Sequence, residues 1–220
     1  MSSNIQLFNQ DCMVAMKEMP DKAFDLAIVD PPYGIGDFRQ TKSKKHHKDI
    51  TWNDHTPTEE YFKQLERVTK NRIIWGIPYY AKYVNDVGRI VHDKTGGGRR
   101  LMPTEFSDCD IASHSFGVNM RIFHYVHVGN VSGPPDHISI NWDNSNRIHP
   151  CQKPIFLYQW CLKRYAKPGD KILDTHLGSG SIAIACYDMG HDLVGYEIDK
   201  DYFEAAQKRL ENHKKQLTLF

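Results

Sequence analysis

This chain of 220 residues has neither a long apolar run nor a strong excess of either charge. No stretch approaches the roughly 18 consecutive apolar residues of a membrane-spanning helix, and the N-terminus lacks the basic and apolar segments of a signal peptide. Because the net charge is only +1, binding to an acidic polymer would depend on local basic patches. The sequence therefore predicts no membrane span and leaves nucleic acid open as a partner.

Cysteine is scarce, and histidine is scattered. The five cysteines are odd in number and form no C-x-x-C pair, which argues against a disulfide framework and against a zinc ribbon. The twelve histidines stand in unrelated contexts, so the sequence predicts no metal site. A reducing cytoplasm is the compartment that this cysteine usage favours.

Strand and helix patterns alternate along the chain, and its length predicts one compact domain. Apolar runs predict strands at 5–8, 26–29, 72–75, 171–174 and 193–196, with β-rich structure from 88 to 127. Helices are expected at 12–18, 57–68, 153–165, 181–189 and 202–215. Residues 128–148 are rich in glycine, proline, asparagine and aspartate and are predicted to form a loop. The alternation is typical of an α/β fold.

The segment Asp30-Pro31-Pro32-Tyr33 directly follows a predicted buried strand. A carboxylate oxygen and a backbone carbonyl held by prolines can accept both N–H groups of an exocyclic amine. The tyrosine ring offers a stacking face, worth about 1 to 3 kcal/mol, for a base taken out of its helix. On its own the segment could equally be a rigid turn.

A second polar segment, Asp174 to Ser181, contains Gly178 and Gly180 and stands between a predicted strand and a predicted helix. Such a turn lets the backbone approach a ligand, whose polar end meets the free N–H groups of the helix. Glu197 ends the next strand, where a carboxylate can accept both hydroxyls of a ribose. A phosphate loop for NAD or a nucleotide is disfavoured, because no Lys-Ser/Thr pair follows and the spacing is not G-x-G-x-x-G.

Taken together, the motifs resemble those of the β-group DNA amino-methyltransferases, in which the catalytic motif precedes the S-adenosylmethionine motif. The resemblance covers nearly the whole chain. It rests on 9–12, 24–33, 60–80, 106–116, His149 to Pro154 and Asp174 to Ser181, in that order. It implies a Rossmann-like class I methyltransferase with permuted motif order and helices on both faces of the sheet. That sheet would have seven strands, mostly parallel with one antiparallel strand.

The resemblance also implies roles for individual residues. The target base would be held by Asp30, Pro31, Pro32 and Tyr33. The cofactor turn and ribose partner would be Asp174, Leu177, Gly178, Ser179, Gly180, Ser181 and Glu197. Asp11 would approach the cofactor adenine and Lys153 the methionine end, although Asp11 also fits a helix cap and Lys153 an ordinary helix-start lysine. The chain departs from many relatives at Leu177, where they have an aromatic residue, and at 77–79, where they have Gly-Asn-Tyr.

The expected activity is methyl transfer from S-adenosylmethionine to an exocyclic nitrogen of a flipped base in double-stranded DNA. Aspartate at position 30 favours adenine-N6, because cytosine-N4 enzymes of this family more often carry serine there. Cytosine-N4 methylation remains the alternative enzyme, and a catalytically silent DNA-binding module is the alternative from another class. An RNA or protein-glutamine methyltransferase is a lesser rival. A restriction-modification role and a bacterial or phage origin follow from the resemblance alone.

DNA contacts are expected from two basic loops, unless these are simply solvated. Their residues are Arg39, Lys42, Lys44, Lys45 and Lys48 in the first loop and Arg99 and Arg100 in the second. Within one methyltransferase domain, residues 1–127 form the catalytic half, 128–148 a small target-recognition loop and 149–215 the cofactor half. The tail 216–220 resembles the Q-L-x-L-F peptide that binds the bacterial sliding clamp, through Gln216, Leu217, Leu219 and Phe220, unless it folds back on the core. The resemblance also allows a homodimer.

Overall fold

Strands and helices alternate through the computed structural model, which describes residues 3–36, 53–97, 107–128, 131–134, 139–140 and 148–217. The strands are β1 (Ile5–Phe8), β2 (Phe24–Val29), β3 (Thr69–Trp75), β4 (Gly88–Asp93), β5 (Cys109–His114), β6 (Met120–His124), β7 (Val126–Val128), β8 (Val131–Gly133), β9 (Ser139–Ile140), β10 (Lys171–Asp174) and β11 (Asp192–Tyr196). The helices are α1 (Cys12–Glu18), α2 (Glu59–Val68), α3 (Ile77–Tyr80), α4 (Ile155–Tyr165), α5 (Ser181–Met189) and α6 (Lys200–Leu217).

The main sheet has the strand order β1-β11-β10-β2-β3-β5-β4-β6. Strand β5 is antiparallel to both neighbours, and every other pairing is parallel. The predicted α/β class and the single antiparallel strand are therefore confirmed. The predicted count of seven strands is one too low, because Met120–His124 continues the sheet as the edge strand β6, parallel to β4.

Helices cover both faces of this sheet, and the alternation of side chains along β2 shows why. Leu26 and Ile28 point to the face covered by α4, α5 and α6, whereas Ala27 and Val29 point to the face covered by α1 and α2. All four side chains are fully buried. A parallel strand buried on both faces reads as a continuous apolar run, which is how this strand could be recognised in the sequence.

The order of the strands reverses between β10 and β2. From β10 the chain continues through α5 to β11 on one side, and from β2 it continues through α2 to β3 on the other. Ligands of open α/β sheets bind in the crevice at the carboxyl ends of the strands at such a switch point. Asp174 ends β10 and Asp30 directly follows β2, so the two sequence motifs meet at this crevice.

Several local predictions differ from the structure. Within the segment predicted to be a loop, β8 pairs with both β7 and β9 in a small antiparallel sheet. These strands were missed because short strands among glycines and asparagines leave little periodicity to detect. The segment after β3 forms α3 and a 3₁₀ helix at Ala81–Tyr83, which the sequence did not suggest. Helix α6 begins at Lys200 and extends to Leu217, two residues beyond each predicted end. Among the described residues, no helix is both long and apolar enough to cross a membrane.

Candidate active site

The carboxylate of Asp30 lies at the centre of the first motif, and both of its oxygens are engaged. Oδ1 accepts a hydrogen bond from the Tyr33 hydroxyl at 2.6 Å, and Oδ2 lies 2.7 Å from the Lys153 ammonium. Lys153 precedes α4 in the opposite half of the chain, so the fold brings the two halves together at this carboxylate. Burial and the nearby negative charge of Asp30 raise the pKa of Tyr33 well above its usual value, which keeps its hydroxyl a donor.

The ring of Tyr33 is part of an aromatic layer. It stacks on Tyr79 with 4.7 Å between ring centroids and an angle of 12° between planes. Gly76 has a left-handed backbone, φ +80°, and a Cβ at this position would overlap the Tyr33 ring and the Tyr80 hydroxyl. The tight turn after β3 therefore requires glycine, and it leaves room for the ring that was predicted to stack on a base.

Asn53 anchors the backbone of this motif, although sequence reasoning missed it. Its Oδ1 accepts a hydrogen bond from the Tyr33 N–H at 2.9 Å, and its Nδ2 donates to the Gly36 carbonyl at 2.9 Å. The Asn53 carbonyl in turn accepts from the Gly36 N–H at 3.0 Å. Asn53 is buried, so these bonds are shielded from water. A lone asparagine twenty residues from its partner carries no signal in a single sequence.

The second motif forms the predicted glycine turn. Gly178 and Gly180 both have positive φ, and a Cβ on Gly178 would find its nearest neighbours in the His149 ring at 3.7 Å. Glu197 lies across from the turn, where Oε2 accepts from the Gly178 N–H at 2.8 Å and Oε1 accepts from the Asp199 N–H at 2.9 Å. The carboxylate is thereby fixed in orientation, and each oxygen keeps a further lone pair for a ligand hydroxyl.

Asp174 is a buried carboxylate surrounded by other negative groups. Burial is the main cause that raises the pKa of Asp174 to about 8, and the charges of Asp30 and Glu197 raise it further. The hydrogen bond from the His176 N–H, at 3.0 Å, opposes this shift. A ligand with positive charge would stabilise the ionised form of Asp174.

The two serines of the turn act on the protein itself. The Ser181 hydroxyl donates to the Lys153 carbonyl at 2.8 Å and lies 3.1 Å from the Ser179 hydroxyl. Arg209 of α6 donates to the Ser179 carbonyl and to the Ser181 hydroxyl, each at 2.9 Å. Both serine side chains are buried. They tie the glycine turn to the segment that carries Lys153.

Two further predicted cofactor residues have structural roles in this state. The Leu177 side chain is buried in the core and packs against the backbone of Gly195. Asp11 is the N-cap of α1, and its side chain accepts a hydrogen bond from the Met13 N–H at 2.7 Å. This agrees with the alternative prediction that Asp11 is a helix cap. Their predicted contacts with a cofactor stay predictions.

Two residues beside Glu197 were missed. Ile198 is 67% exposed directly after the carboxylate, where an apolar side chain can cover the face of a planar ligand. Asn9 donates from Nδ2 to the carbonyls of Glu197 and Ile198, at 2.8 and 3.1 Å. An apolar residue immediately after a strand-end carboxylate was the available signal for Ile198.

The predicted DNA contacts and most of the tail fall outside the described residues. These are Arg39, Lys42, Lys44, Lys45, Lys48, Arg99, Arg100, Leu219 and Phe220. Lys94, which precedes the second basic loop in the sequence, forms an ion pair with Asp110 at 3.0 Å. Gln216 and Leu217 are the last residues of α6, so the tail does not begin as an extended peptide.

Comparison with known proteins identifies the class. Residues 124–208 match the N6/N4 methyltransferase family, described as DNA methylase. The chain is 27% identical to the type II methyltransferase M.HpaI of Haemophilus parainfluenzae, over 94% of this chain and 74% of that protein.

Two solved structures share the fold. The M1.HpyAVI–SAM complex has a TM-score of 0.57 at 20% identity, over 94% of this chain and all of that one. The PvuII DNA methyltransferase, described as cytosine-N4-specific, has a TM-score of 0.62 at 11% identity, over 97% and 91% of the two chains.

The fold and the crevice at the switch point are those of a class I methyltransferase. With the sequence matches, they confirm that the chain resembles the β group of N6/N4 DNA methyltransferases, and its cofactor is S-adenosylmethionine. The crevice fits this cofactor, because its sulfonium suits the three carboxylates Asp30, Asp174 and Glu197 and its ribose suits Glu197.

Proposed function

We propose that this protein methylates the exocyclic N6 of adenine in double-stranded DNA, on a base flipped out of the helix. The observation that carries the proposal is the position of Asp30, a carboxylate at the switch point between β2 and the cofactor strand β10. Aspartate rather than serine at this position supports adenine over cytosine. The PvuII likeness supports the fold alone, and cytosine-N4 remains the alternative product.

The roles of the residues follow from their chemistry. The Asp30 carboxylate and the Pro31 carbonyl would accept the two N–H groups of the target amine and so orient its lone pair for in-line attack. Tyr33 would stack on the flipped base, which helps offset the cost of unstacking. When bound, S-adenosylmethionine supplies an electrophilic methyl group. Glu197 would hold its ribose, and Asp174 would face its positive charge.

The decisive experiment is methylation of unmethylated DNA with labelled S-adenosylmethionine, followed by digestion to nucleosides, for the wild type and for Asp30→Ala. N6-methyladenosine that disappears in the variant is the expected result. N4-methylcytosine would replace the adenine proposal with the cytosine alternative. No product despite measurable cofactor binding would contradict the proposal and favour a silent DNA-binding module.

DNA contact by the two basic loops and target recognition by residues 128–148 belong to the same proposal. Replacing Lys42, Lys44, Lys45 and Lys48 together by glutamine should weaken binding to all DNA sequences and reduce its salt dependence. An unchanged salt dependence would mean that these lysines are only solvated. A role beside a restriction enzyme is supported only by the name of the type II relative.

We also propose that the C-terminal peptide binds the bacterial sliding clamp. Its support is the Q-L-x-L-F pattern and the exposed position of Gln216 at the end of α6. Deleting residues 216–220 should abolish clamp binding and leave methylation of short duplexes intact, whereas loss of both would refute the proposal. The five free cysteines support a reducing compartment such as a bacterial cytoplasm. A homodimer remains a prediction from the resemblance.

A further inference from the structure

Lys153 is more closely bound to the catalytic carboxylate than its predicted role at the cofactor implies. Its ammonium lies 2.7 Å from Asp30 Oδ2 and 3.3 Å from the Tyr33 hydroxyl. The side chain is 7% exposed and lies 5.5 Å from the centroid of the Trp75 ring. An ammonium enclosed in this way has little freedom to leave Asp30, because its other neighbours are aromatic rings and a second carboxylate.

That second carboxylate is Asp110 of β5. Asp110 Oδ2 lies 3.8 Å from the Lys153 ammonium, and Oδ1 lies 3.0 Å from the Lys94 ammonium. The His92 ring also faces it at 3.6 Å. Asp30, Lys153, Asp110 and Lys94 thus form a line of alternating charges that runs from the end of β2 to the end of β4. Neither Asp110 nor this line was identified from the sequence.

We propose that Lys153 is a positioning residue for Asp30, and that Asp110 in turn positions Lys153 and moderates its charge. This inference rests on the proposed methyl transfer, in which Asp30 receives the target amine. It assigns Lys153 to the base side of the crevice rather than to the methionine end of the cofactor.

The line of charges has two physical effects on Asp30. The bond from Lys153 to Oδ2 fixes the plane of the carboxylate, so that its remaining lone pairs have a set direction toward the amine. The ammonium also places a positive charge 2.7 Å from Oδ2, so that a hydrogen-bonding amine is directed to the other lone pairs of the carboxylate. Asp110 also attracts the Lys153 ammonium. Asp30 therefore remains a stronger hydrogen-bond acceptor than it would be if Lys153 paired with Asp30 alone.

The titration of this network involves groups from several elements. Burial opposes the charge of Lys153, but Asp30 and Asp110 raise its pKa above the usual value. Burial is likewise outweighed at Asp110, whose pKa is lowered by Lys153, His92 and Lys94. The other titratable groups that face Asp30 or Lys153 are Tyr33, Tyr61, Tyr80, Tyr158, Asp174 and Cys151. Raised pKa values keep the four tyrosines neutral in the working range.

The test compares Lys153→Met, Lys153→Arg and Asp110→Asn with the wild type. It measures cofactor affinity by calorimetry and single-turnover methylation as a function of pH. Lys153→Met should lower the rate about 100-fold, the scale expected for a misplaced reacting group, while the Kd for S-adenosylmethionine changes less than about 2-fold. Lys153→Arg, which keeps the charge, should restore much of the rate.

The pH profile separates positioning from a general loss of structure. In Lys153→Met the acidic limb should move to higher pH, because the carboxylates of Asp30, Asp110 and Asp174 then face one another without the ammonium that lowers the pKa of Asp110. In Asp110→Asn it should move to lower pH, because Lys153 is then committed to Asp30 alone. Limbs that do not move, or that move in the same direction, would overturn the inference.

An ion pair near the start of β2 and β3, at the end of the sheet opposite the crevice, provides the control. Lys70 and Asp25 also lie 2.7 Å apart, but Lys70 is 57% exposed and remote from the crevice. Lys70→Met should therefore leave rate and pH profile unchanged. A higher Kd for S-adenosylmethionine in Lys153→Met, with a normal rate at saturation, would return Lys153 to the cofactor. Absence of wild-type product would instead refute the proposed function itself.

Discussion

Replacing Asn53 by alanine tests whether the segment Asp30 to Tyr33 depends on a single buried anchor. The substitution removes the hydrogen bonds to the Tyr33 N–H and to the Gly36 carbonyl, both 2.9 Å long. The backbone hydrogen bond from the Gly36 N–H to the Asn53 carbonyl remains. The segment after β2 therefore keeps one tether of three and loses the one that reaches Tyr33.

The size of the effect follows from these contacts. Each lost hydrogen bond contributes about 1 kcal/mol net, and a buried N–H left without a partner costs about 1 to 3 kcal/mol. We expect Asn53→Ala to lower the free energy of unfolding by about 2 to 4 kcal/mol. Because Tyr33 holds Asp30 through its hydroxyl, kcat/KM should fall about 10- to 100-fold.

Urea unfolding and single-turnover methylation, below the unfolding midpoint, measure the two effects. The matched control is Thr69→Val, which removes one buried hydrogen bond, from Thr69 Oγ1 to the Leu65 carbonyl at 2.6 Å, away from the crevice. It should cost about 1 kcal/mol of stability with no change in rate. If Asn53→Ala lost stability but kept the wild-type rate, the argument that the anchor serves catalysis would fail.

Three further predictions concern the two motifs. The raised pKa of Asp174 contributes stability that is present below about pH 4 and is lost as the pH rises to about 8. In urea unfolding without cofactor, the free energy of unfolding of Asp174→Asn should therefore exceed that of the wild type by a margin that widens between pH 5 and pH 8. A constant difference would contradict this prediction. Gly76→Ala should abolish methylation, because the added methyl group displaces the Tyr33 ring. Gly169 has a similar positive φ but open space around it, so Gly169→Ala should keep the wild-type rate. Equal methylation rates of the two variants in nucleoside analysis would refute the steric argument. Glu197→Gln replaces one of the two oxygens that accept backbone hydrogen bonds from Gly178 and Asp199. It should weaken S-adenosylmethionine binding at least about 10-fold, or about 1.4 kcal/mol, in calorimetry. Glu204→Gln, at an exposed position, should leave this binding unchanged.

The positions of Asp30, Asp174 and Glu197 could be predicted because each ends or follows an apolar strand. Parallel strands place their carboxyl ends at one edge of the sheet, so a carboxylate after such a run is placed by the fold itself. The same logic predicted the glycine turn, which requires positive φ at Gly178 and Gly180.

Side-chain partnerships across the sheet could not be predicted. Lys153 meets Asp30 and Asp110 only because β10, β2, β3 and β5 lie side by side, and no local pattern in the sequence encodes that order. The direction of the Leu177 side chain could not be predicted for a related reason. The direction of a side chain in a tight turn depends on the backbone dihedrals, and these direct Leu177 toward Gly195.

The reversal of strand order has a consequence for how the enzyme is made. The central pairing joins Ala27 of β2 to Leu173 of β10, and the edge pairing joins Ile5 of β1 to Leu193 of β11. These contacts span most of the chain, so loop closure must be completed before they form, which favours slow folding. A nascent chain would display the segment Asp30 to Tyr33 long before β10 and β11 have been synthesised. The crevice at the switch point is therefore complete only once β10 and β11 have been made, and a product truncated before β10 lacks it.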